Sequence, residues 1–310
     1  MGGGGGGGLS GLVVAVVGPT ATGKSELALA LAHRLDGEVV NADSMQLYRG
    51  MDIGTAKLPP AQRQGVPHHV LDIWEVTRTA SVAEYQRLAR AAVDDILARG
   101  RVPLVVGGSG LYVRAVLDDL RFPGTDPRLR AELEEELARV GPHRMHQRLR
   151  EVDPAAAEAI LPGNARRIVR ALEVVALTGR PFPARLDDPR PYYRSVRIAL
   201  DRDDVDERIA RRVAEMWRAG LVDEVRRLVG RGLCEGRTAR AALGYQQVLQ
   251  FLDGEITEEG AFAETVRATR RFVRRQRSWF RRDPRLVWLD AGRPDLLEAA
   301  LSVVAAARGG

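Results

Sequence analysis

The sequence predicts an α/β fold, in which a parallel β-sheet flanked by helices forms the core and an all-helical domain is inserted into it. Short apolar runs alternate with helical patterns along the chain, and this alternation is typical of a parallel sheet with helices on its faces. The apolar runs stop after about residue 120 and resume near residue 193, with only helical patterns between them. We therefore place the core at residues 12–120 and 193–310 and the helical insertion domain at residues 121–192.

The core elements follow in order. Five apolar runs have the length of buried parallel strands. They lie at residues 12–18, 38–43, 101–107, 195–200 and 286–290. A helix is expected directly after the first run, because leucines recur every fourth residue from Leu27 to Leu35. A longer helix is predicted between Ser81 and Gly100, with Ser81 as N-cap, Glu84 completing a capping box and Gly100 as the C-terminal stop.

The insertion reads as a series of helices separated by Asp-Pro and Pro-Gly dipeptides, which mark turns. The helical segments lie at residues 126–140, 142–152, 153–160 and 164–179.

Composition limits the class of protein. The chain has 310 residues, 45% of them hydrophobic and 28% charged, which is ordinary for a globular protein. The apolar runs are too short to span a bilayer, and the single cysteine, Cys234, excludes an intrachain disulfide framework. Seven consecutive glycines near the start lack the pattern of a secretory signal, so we expect residues 1–11 to be a disordered leader. We expect a cytoplasmic monomer with no membrane contact.

The basic residues are divided unevenly between arginine and lysine. A net charge of +6 favours an anionic partner, and 45 of the 47 basic residues are arginines. Only Lys24 and Lys57 are lysines, which marks them as positions where a compact ammonium is required. For Lys57 the alternative is a surface lysine without a role.

A phosphate-binding loop is predicted at "GPTATGKS", between the first strand and its helix. Glycines let backbone N–H groups converge on phosphate oxygens, and the helix N-terminus adds its positive end. Lys24 supplies a charge, and Ser25 can hold Mg²⁺. The loop residues are Gly18, Pro19, Thr20, Ala21, Thr22, Gly23, Lys24 and Ser25.

Asp43 follows the second predicted strand, and α/β proteins bind ligands at the carboxyl ends of parallel strands. We therefore expect Asp43 beside the phosphate loop. A helix N-cap is the alternative for this residue. Phosphate-hydrolysing relatives carry an acid at a strand end to hold Mg²⁺, yet the strand at residues 101–107 ends without one.

A strongly basic helix is predicted near the end of the core. Residues 264–285 hold nine arginines, and those from Arg267 to Arg281 recur at steps of three or four, forming a positive stripe. Arg270 and Arg274 lie at its centre. The stripe favours contact with a nucleic-acid backbone. A solvated arginine face is the alternative in so arginine-rich a chain.

Five motifs, in this order and spacing, resemble those of the tRNA dimethylallyltransferases. They are "GPTATGKS", "NADSMQLYRGMDIGTAK", "PHHVLDI", "LVVGGSGLY" and "RATRRFVRRQRSWFR", and the resemblance runs from Val13 to about Asp290. It implies a P-loop-containing core with a helical insertion that helps bind the tRNA anticodon stem-loop. It also implies transfer of a dimethylallyl group from dimethylallyl diphosphate to the N6 amine of the adenine 3′ to the anticodon, with Mg²⁺ as cofactor and diphosphate released.

The resemblance also implies roles for single residues. Asp43 matches the general base, Ser109 a hydroxyl residue near the adenine, and Lys24 a group that neutralises the leaving diphosphate. An arginine that reaches the diphosphate is either Arg208 or Arg212, and we prefer Arg208. A turn serine is the alternative for Ser109. Contacts with tRNA are expected at Asp43, Ser44, Met45, Gln46, Lys57, Arg166, Arg167, Ile168, Val169, Arg170, Ala241, Ala242, Leu243, Gly244, Tyr245, Gln246, Arg270 and Arg274.

Three other functions compete with this interpretation. An adenylate isopentenyltransferase would use AMP or ADP as acceptor, but a mononucleotide needs neither the insertion nor the arginine stripe. A P-loop kinase or RNA-dependent ATPase needs a strand-end acid paired with Ser25 and an adenine-binding loop, and neither is clear. A non-catalytic RNA-binding protein would not need Gly23, Lys24 and Ser25 intact beside Asp43.

Overall fold

The computed structural model describes residues 11–183 and 190–309, and the chain forms two compact units. The core unit contains the residues up to Asp118 and those from Pro191 onward, and the insertion unit contains Asp119–Arg190. Of the leader predicted at residues 1–11, the first ten residues lie outside the described part of the chain.

A six-stranded parallel sheet forms the centre of the core unit. Its strands are β1 (Val13–Val17), β2 (Gly37–Asn41), β3 (His68–His69), β4 (Val102–Gly107), β5 (Ser195–Asp201) and β6 (Leu286–Asp290). Their order is β3-β2-β4-β1-β5-β6, and all pairs are parallel. The predicted fold class is confirmed, as are the five predicted strands. Sequence patterns missed β3, because two residues are too few to show one.

The helices account for most of the remaining chain. They are α1 (Lys24–Leu35), α2 (Val82–Ala98), α3 (Gly110–Leu117), α4 (Pro127–Val152), α5 (Pro154–Ala159), α6 (Ala165–Thr178), α7 (Val205–Arg218), α8 (Leu221–Val229), α9 (Tyr245–Leu252), α10 (Glu258–Phe280) and α11 (Leu296–Gly309). The predicted cap of α2 is confirmed, since the Ser81 hydroxyl accepts a hydrogen bond from Glu84 N at 3.3 Å.

The sheet core explains where the site lies. Every residue of β1 is buried, and Leu27 and Leu31 of α1 pack with Leu104 and Ile198 of the sheet in one apolar cluster. Because the strands are parallel, the loops after β1, β2 and β4 leave the same edge of the sheet. This edge carries the phosphate loop, Asp43 and Ser109.

The insertion unit has an apolar core of its own. Helix α4 covers two of the predicted segments and is interrupted at Gly141, whose φ of +77° requires no side chain. Leu133, Met145 and Leu149 of α4 pack against the buried face of α6, which includes Ile168. Within residues 11–183 and 190–309, no helix is long and apolar enough to cross a membrane.

Candidate active site

The phosphate loop has a fixed backbone. Gly18 has a φ of +133°, and a Cβ there would lie 2.3 Å from Leu200 O of the neighbouring strand. Gly23 has a φ of +92°, and Ala21 also lies in the left-handed region. The Thr22 hydroxyl donates to Pro19 O at 2.9 Å. The loop is therefore shaped by the protein itself before any anion binds.

Lys24 is held inside this loop in an environment that disfavours its charge. Its Nζ donates to Pro19 O. Burial, together with the nearby Arg212 cation, lowers the pKa of Lys24 to about 8, against the attraction of Asp43 and Glu26. An anion bound in the loop would restore the missing counter-charge.

Arg208 and Arg212 lie one turn apart on α7 and have different partners. Arg208 Nε donates to Ala21 O at 2.8 Å and so supports the backbone of the phosphate loop. Arg212 Nη2 donates to Thr55 O at 3.4 Å. Burial lowers the pKa of Arg212, while the charge of Asp43 raises it. Arg212 is therefore the arginine that interacts electrostatically with both Lys24 and Asp43.

Asp43 and Ser109 are brought together by the loops after β2 and β4. No α-helix follows Asp43 in the described residues 44–59, so it is not a helix cap. Its Oδ1 accepts from Met45 N at 3.0 Å, and the carboxylate remains partly exposed. Ser109 Oγ accepts from Ser44 N at 3.1 Å and lies 3.2 Å from Ser44 Oγ.

Lys57 has a structural role rather than the expected contact with RNA. Its side chain is 3% exposed. Its Nζ donates to Tyr48 O at 2.9 Å, to Asp52 Oδ1 at 2.7 Å and to Asp72 Oδ1 at 2.5 Å. An ammonium has three donors, and all three are used within the loop, so none is left for an RNA phosphate.

Tyr245 is likewise buried, in the expected RNA segment at residues 241–246. Its hydroxyl donates to Glu224 Oε1 at 2.6 Å. The same carboxylate accepts from the backbone N–H groups of Asp52, Ile53 and Gly54. Tyr245 therefore helps to hold residues 52–54 through Glu224, while Ala241 and Gln246 are the exposed members of the segment and Leu243 is partly exposed.

The predicted RNA segment on α6 is also mostly structural. Ile168 and Val169 belong to the apolar core of the insertion unit. Arg170 donates to Glu173, Pro123 O and Gly124 O. Arg166 is exposed, and Arg167 is partly exposed with a partner of its own. Arg166 is the member of this segment that is best placed to meet RNA.

Helix α10 carries the arginine stripe, and its arginines differ in how far their charge is neutralised. Arg267 and Arg271 pair with Glu264. Arg277 pairs with Asp201, and Arg270 lies 3.9 Å from Asp206. In the described part of the chain, Arg274 and Arg282 have no side-chain partner. Arginines line a cavity of about 480 Å³ at this end of the helix, formed by Arg274, Arg277, Ser278, Arg281 and Arg282.

Sequence reasoning missed Gln276, which lies among these arginines. It is 5% exposed, accepts from Thr20 N at 3.0 Å and donates to Gly108 O at 2.9 Å. It falls at helical spacing from Val273 and Phe280, on the buried face of α10. A polar residue on a buried face needs internal partners. The glutamine on the apolar face of this helix was therefore the sequence feature that could have identified it.

The comparisons with known proteins identify the family. The family model described as IPP transferase matches residues 46–283. The chain belongs to the IPP transferase family. A tRNA dimethylallyltransferase of Salinispora arenicola is 70% identical over 300 residues, which are 96% of this chain and 88% of the relative. The resemblance stated from the motifs is thereby confirmed.

Solved structures support the same family. The tRNA isopentenylpyrophosphate transferase of Bacillus halodurans superposes with a TM-score of 0.71 at 40% identity, covering 97% of each chain. A eukaryotic dimethylallyltransferase acting on tRNA superposes with a TM-score of 0.79 at 25% identity, over 96% of this chain and 78% of the other.

Proposed function

We propose that this protein transfers a dimethylallyl group from dimethylallyl diphosphate to the N6 amine of the adenine 3′ to the anticodon in tRNA, and releases diphosphate. The observation that carries the proposal is the grouping of Lys24, Arg212 and Asp43. The two cations interact with each other and with the carboxylates of Asp43 and Glu26 at the carboxyl edge of the sheet. Such a site can neutralise a diphosphate and accept a proton a short distance away.

The cations serve the leaving group. Breaking the carbon–oxygen bond places new negative charge on the diphosphate, which Lys24 and the loop N–H groups would stabilise. A well-placed donor of this kind contributes about 2.7–4 kcal/mol to the transition state. We assign the diphosphate-binding arginine to Arg212 rather than to Arg208, because Arg212 lies close enough to Lys24 to lower its pKa, whereas Arg208 Nε supports the loop backbone through Ala21 O.

The donor set near the loop fits Mg²⁺. Ser25 has no side-chain partner in the described part of the chain and, with Asn41 and Gln46, lines a cavity of about 30 Å³. The described residues contain no cluster of three or more acidic, His or Cys ligands. Mg²⁺ held by one protein hydroxyl, water and substrate phosphates suits this pattern. Bound there, the ion would supply further charge neutralisation for the diphosphate.

Asp43 serves the acceptor. An adenine N6 amine is a poor nucleophile, because its lone pair is delocalised into the ring. A carboxylate within hydrogen-bond reach can take the amine proton as the bond to carbon forms, and such a base contributes about 10²–10⁴-fold in rate. Ser109, bound to the loop that carries Asp43, would hold the adenine edge. Base-modifying enzymes extrude their target into such a pocket.

The RNA would be held by charges that have no side-chain partner among the described residues. Arg274 on α10 and Arg282 just beyond its C-terminal end are such charges, and Arg166 is exposed on the insertion unit. Contacts of this kind position the backbone and weaken with salt. We infer that Arg274 contributes more than Arg270, which Asp206 partly neutralises.

The experiment uses dimethylallyl diphosphate labelled in the prenyl group, unmodified tRNA, and parallel tubes with Mg²⁺, EDTA, ATP or AMP. Label in tRNA without ATP is the expected result, and EDTA should abolish it. The labelled nucleoside is then located by nuclease digestion, with a tRNA lacking adenine at that position as the control.

The other outcomes separate the competing functions. Label in AMP, with none in tRNA, would replace this proposal with a nucleotide prenyltransferase. ATP turnover without prenyl transfer would place the protein among P-loop ATPases.

A further inference from the structure

We propose that Gln276 is a positioning residue that holds the phosphate loop and the Ser109 loop at one spacing, and that it does so from the helix that carries the arginine stripe. The inference rests on the proposed function, which assigns the two reactants to these loops. Gln276 touches neither reactant. It acts through Thr20 on one loop and Gly108 on the other.

The carboxamide of Gln276 is suited to both partners. Thr20 N–H can only donate, and Gly108 O can only accept. The oxygen of Gln276 accepts from Thr20 N at 3.0 Å while its nitrogen donates to Gly108 O at 2.9 Å. The opposite polarity of the two partners fixes the orientation of the amide. Neither a carboxylate nor an apolar side chain of similar size could make both bonds.

The packing around Gln276 leaves little freedom for movement. A Cβ on Gly108 would lie 2.4 Å from Gln276 Nε2 and 3.3 Å from Gly18 O, so there is no room for a side chain between the two loops. One turn further along α10, Trp279 covers Gly110, where a Cβ would lie 1.9 Å from the indole nitrogen. These glycines let α10 lie directly against the loop that carries Ser109.

The same helix also supports the phosphate loop from below. Val273 of α10 packs in one cluster with Ala21 of the loop and with Ile209 of α7. Arg274 and Arg277 of this helix, with Arg282 just beyond its end, meanwhile line the open cavity. One rigid helix therefore presents charge to RNA on one side and fixes the two reactant loops on the other.

The consequence concerns the distance between the two reacting atoms. Prenyl transfer requires the carbon attached to the diphosphate and the adenine amine to meet in line, and these partners are held by different loops. A displacement of about 1 Å between such loops can cost on the order of 10²-fold in rate. Gln276 should therefore affect kcat and diphosphate binding rather than tRNA affinity.

The test compares Gln276→Met with the wild-type protein. Methionine matches glutamine in length and removes both hydrogen bonds. We expect kcat for prenyl transfer to fall on the order of 10²-fold. Affinity for inorganic pyrophosphate with Mg²⁺, measured by calorimetry without tRNA, should fall about three- to tenfold. The reason is that Thr20 N–H loses its acceptor, so the phosphate loop is held less firmly in its binding conformation. The tRNA dissociation constant should stay near that of the wild type.

Gln250→Met provides the matched control, because Gln250 lies on α9 and its side chain has no partner among the described residues. It should match the wild type in all three measurements. Gln276→Glu is the second variant, which keeps the acceptor for Thr20 N and loses the donor to Gly108 O. It should lower kcat as well, and far-UV circular dichroism establishes whether each variant is folded.

Two results would overturn the proposal. In the first, a folded Gln276→Met or Gln276→Glu retains the kcat and the pyrophosphate affinity of the wild type. In the second, tRNA affinity falls as much as kcat, which makes Gln276 part of the RNA surface. If the wild type transfers no prenyl group, the proposed function fails, and the pyrophosphate measurement still decides whether Gln276 shapes the loop.

Discussion

Lys24 and Lys57, the two lysines of the chain, lie in the segments that follow β1 and β2. They differ in the acceptors and charges that surround their ammonium groups. Lys57 is surrounded by a carbonyl and two carboxylates, which accept all three of its hydrogen bonds. Lys24 donates to a single carbonyl and lies near a second cation, Arg212. The sequence marks both lysines in the same way, but only one of them has an unneutralised charge.

The presence or absence of bonded counter-charges separates the structural charges of this protein from those that are available to bind a ligand. A buried charge that is paired with its counter-charges is tolerated by the fold, and removing one partner destabilises it. A buried charge without them destabilises the fold until a ligand supplies the opposite charge. Lys24 and Arg212 form a pair of cations that Asp43 and Glu26 offset without a direct ion pair, whereas Lys57, bonded to Asp52 and Asp72, forms the neutralised set. The predictions below test that division.

The largest effect is expected from Asp43→Asn. The amide keeps the shape and can still accept from Met45 N, but it cannot take the amine proton. We expect kcat to fall by about 10²–10⁴-fold with tRNA affinity near that of the wild type, measured by single-turnover transfer and filter binding. Asp72→Asn, in the neutralised set, is the control and should keep its kcat. An equal loss of tRNA binding by Asp43→Asn would make Asp43 structural.

Lys24→Met and Lys57→Met should change stability in opposite directions. At pH 7 the folded state disfavours charged Lys24, since its pKa is lowered from 10.5 to about 8, so Lys24→Met should unfold at higher urea. Its kcat/KM should fall by about 10²–10³-fold. Lys57→Met should lose about 2 kcal/mol of unfolding free energy, a modest figure because Asp52 and Asp72 are 55% and 41% exposed.

Urea unfolding of both variants gives the midpoint and the unfolding free energy of each, and activity is measured on the same samples. A lower midpoint for Lys24→Met would show that its charge is already neutralised in the fold. A stable, RNA-binding-deficient Lys57→Met would restore the role that the sequence suggested for it.

The pH dependence of pyrophosphate binding sharpens the comparison. The pKa of Lys24 in the free protein is about 8, so its ammonium is present below pH 8 and lost above it. The affinity advantage of the wild type over Lys24→Met should therefore be constant at low pH. Above about pH 8 it should fall by up to tenfold per pH unit. Calorimetry at several pH values measures this ratio, and a ratio that stays constant to pH 10 would contradict the assignment.

Local sequence patterns were enough to predict many of the secondary-structure elements. Apolar runs located five strands, the loop motif located its own helix, and Ser81 with Glu84 located the start of α2. These features depend on neighbours in sequence. Strand β3 depends instead on pairing of Val39 with His68 across the sheet, so no local pattern reveals it.

The contacts that define the site are longer in range. Gln276 meets Thr20 across 256 positions, and Glu224 meets Asp52 across 172. Spacing placed Arg208 and Arg212 on one helix but could not say which of them lies beside Lys24. That depends on the folded chain, where Arg208 contacts Ala21 O and Arg212 interacts with Lys24.

The smallest expected effect extends the comparison to the arginine stripe. Arg274 and Arg282 have no partner within the described chain, whereas Arg267 and Arg271 share Glu264. Changing the first pair to glutamine should reduce the slope of log affinity for tRNA against log salt by about 1.4–1.8, at 0.7–0.9 per phosphate contact. The same change to the second pair should alter the slope less, because those charges are already partly neutralised. Filter binding between low and high salt measures both slopes. Equal slopes for the two double variants would mean that RNA displaces Glu264 from Arg267 and Arg271. The presence of an acidic partner within the protein would then not determine which arginines bind RNA.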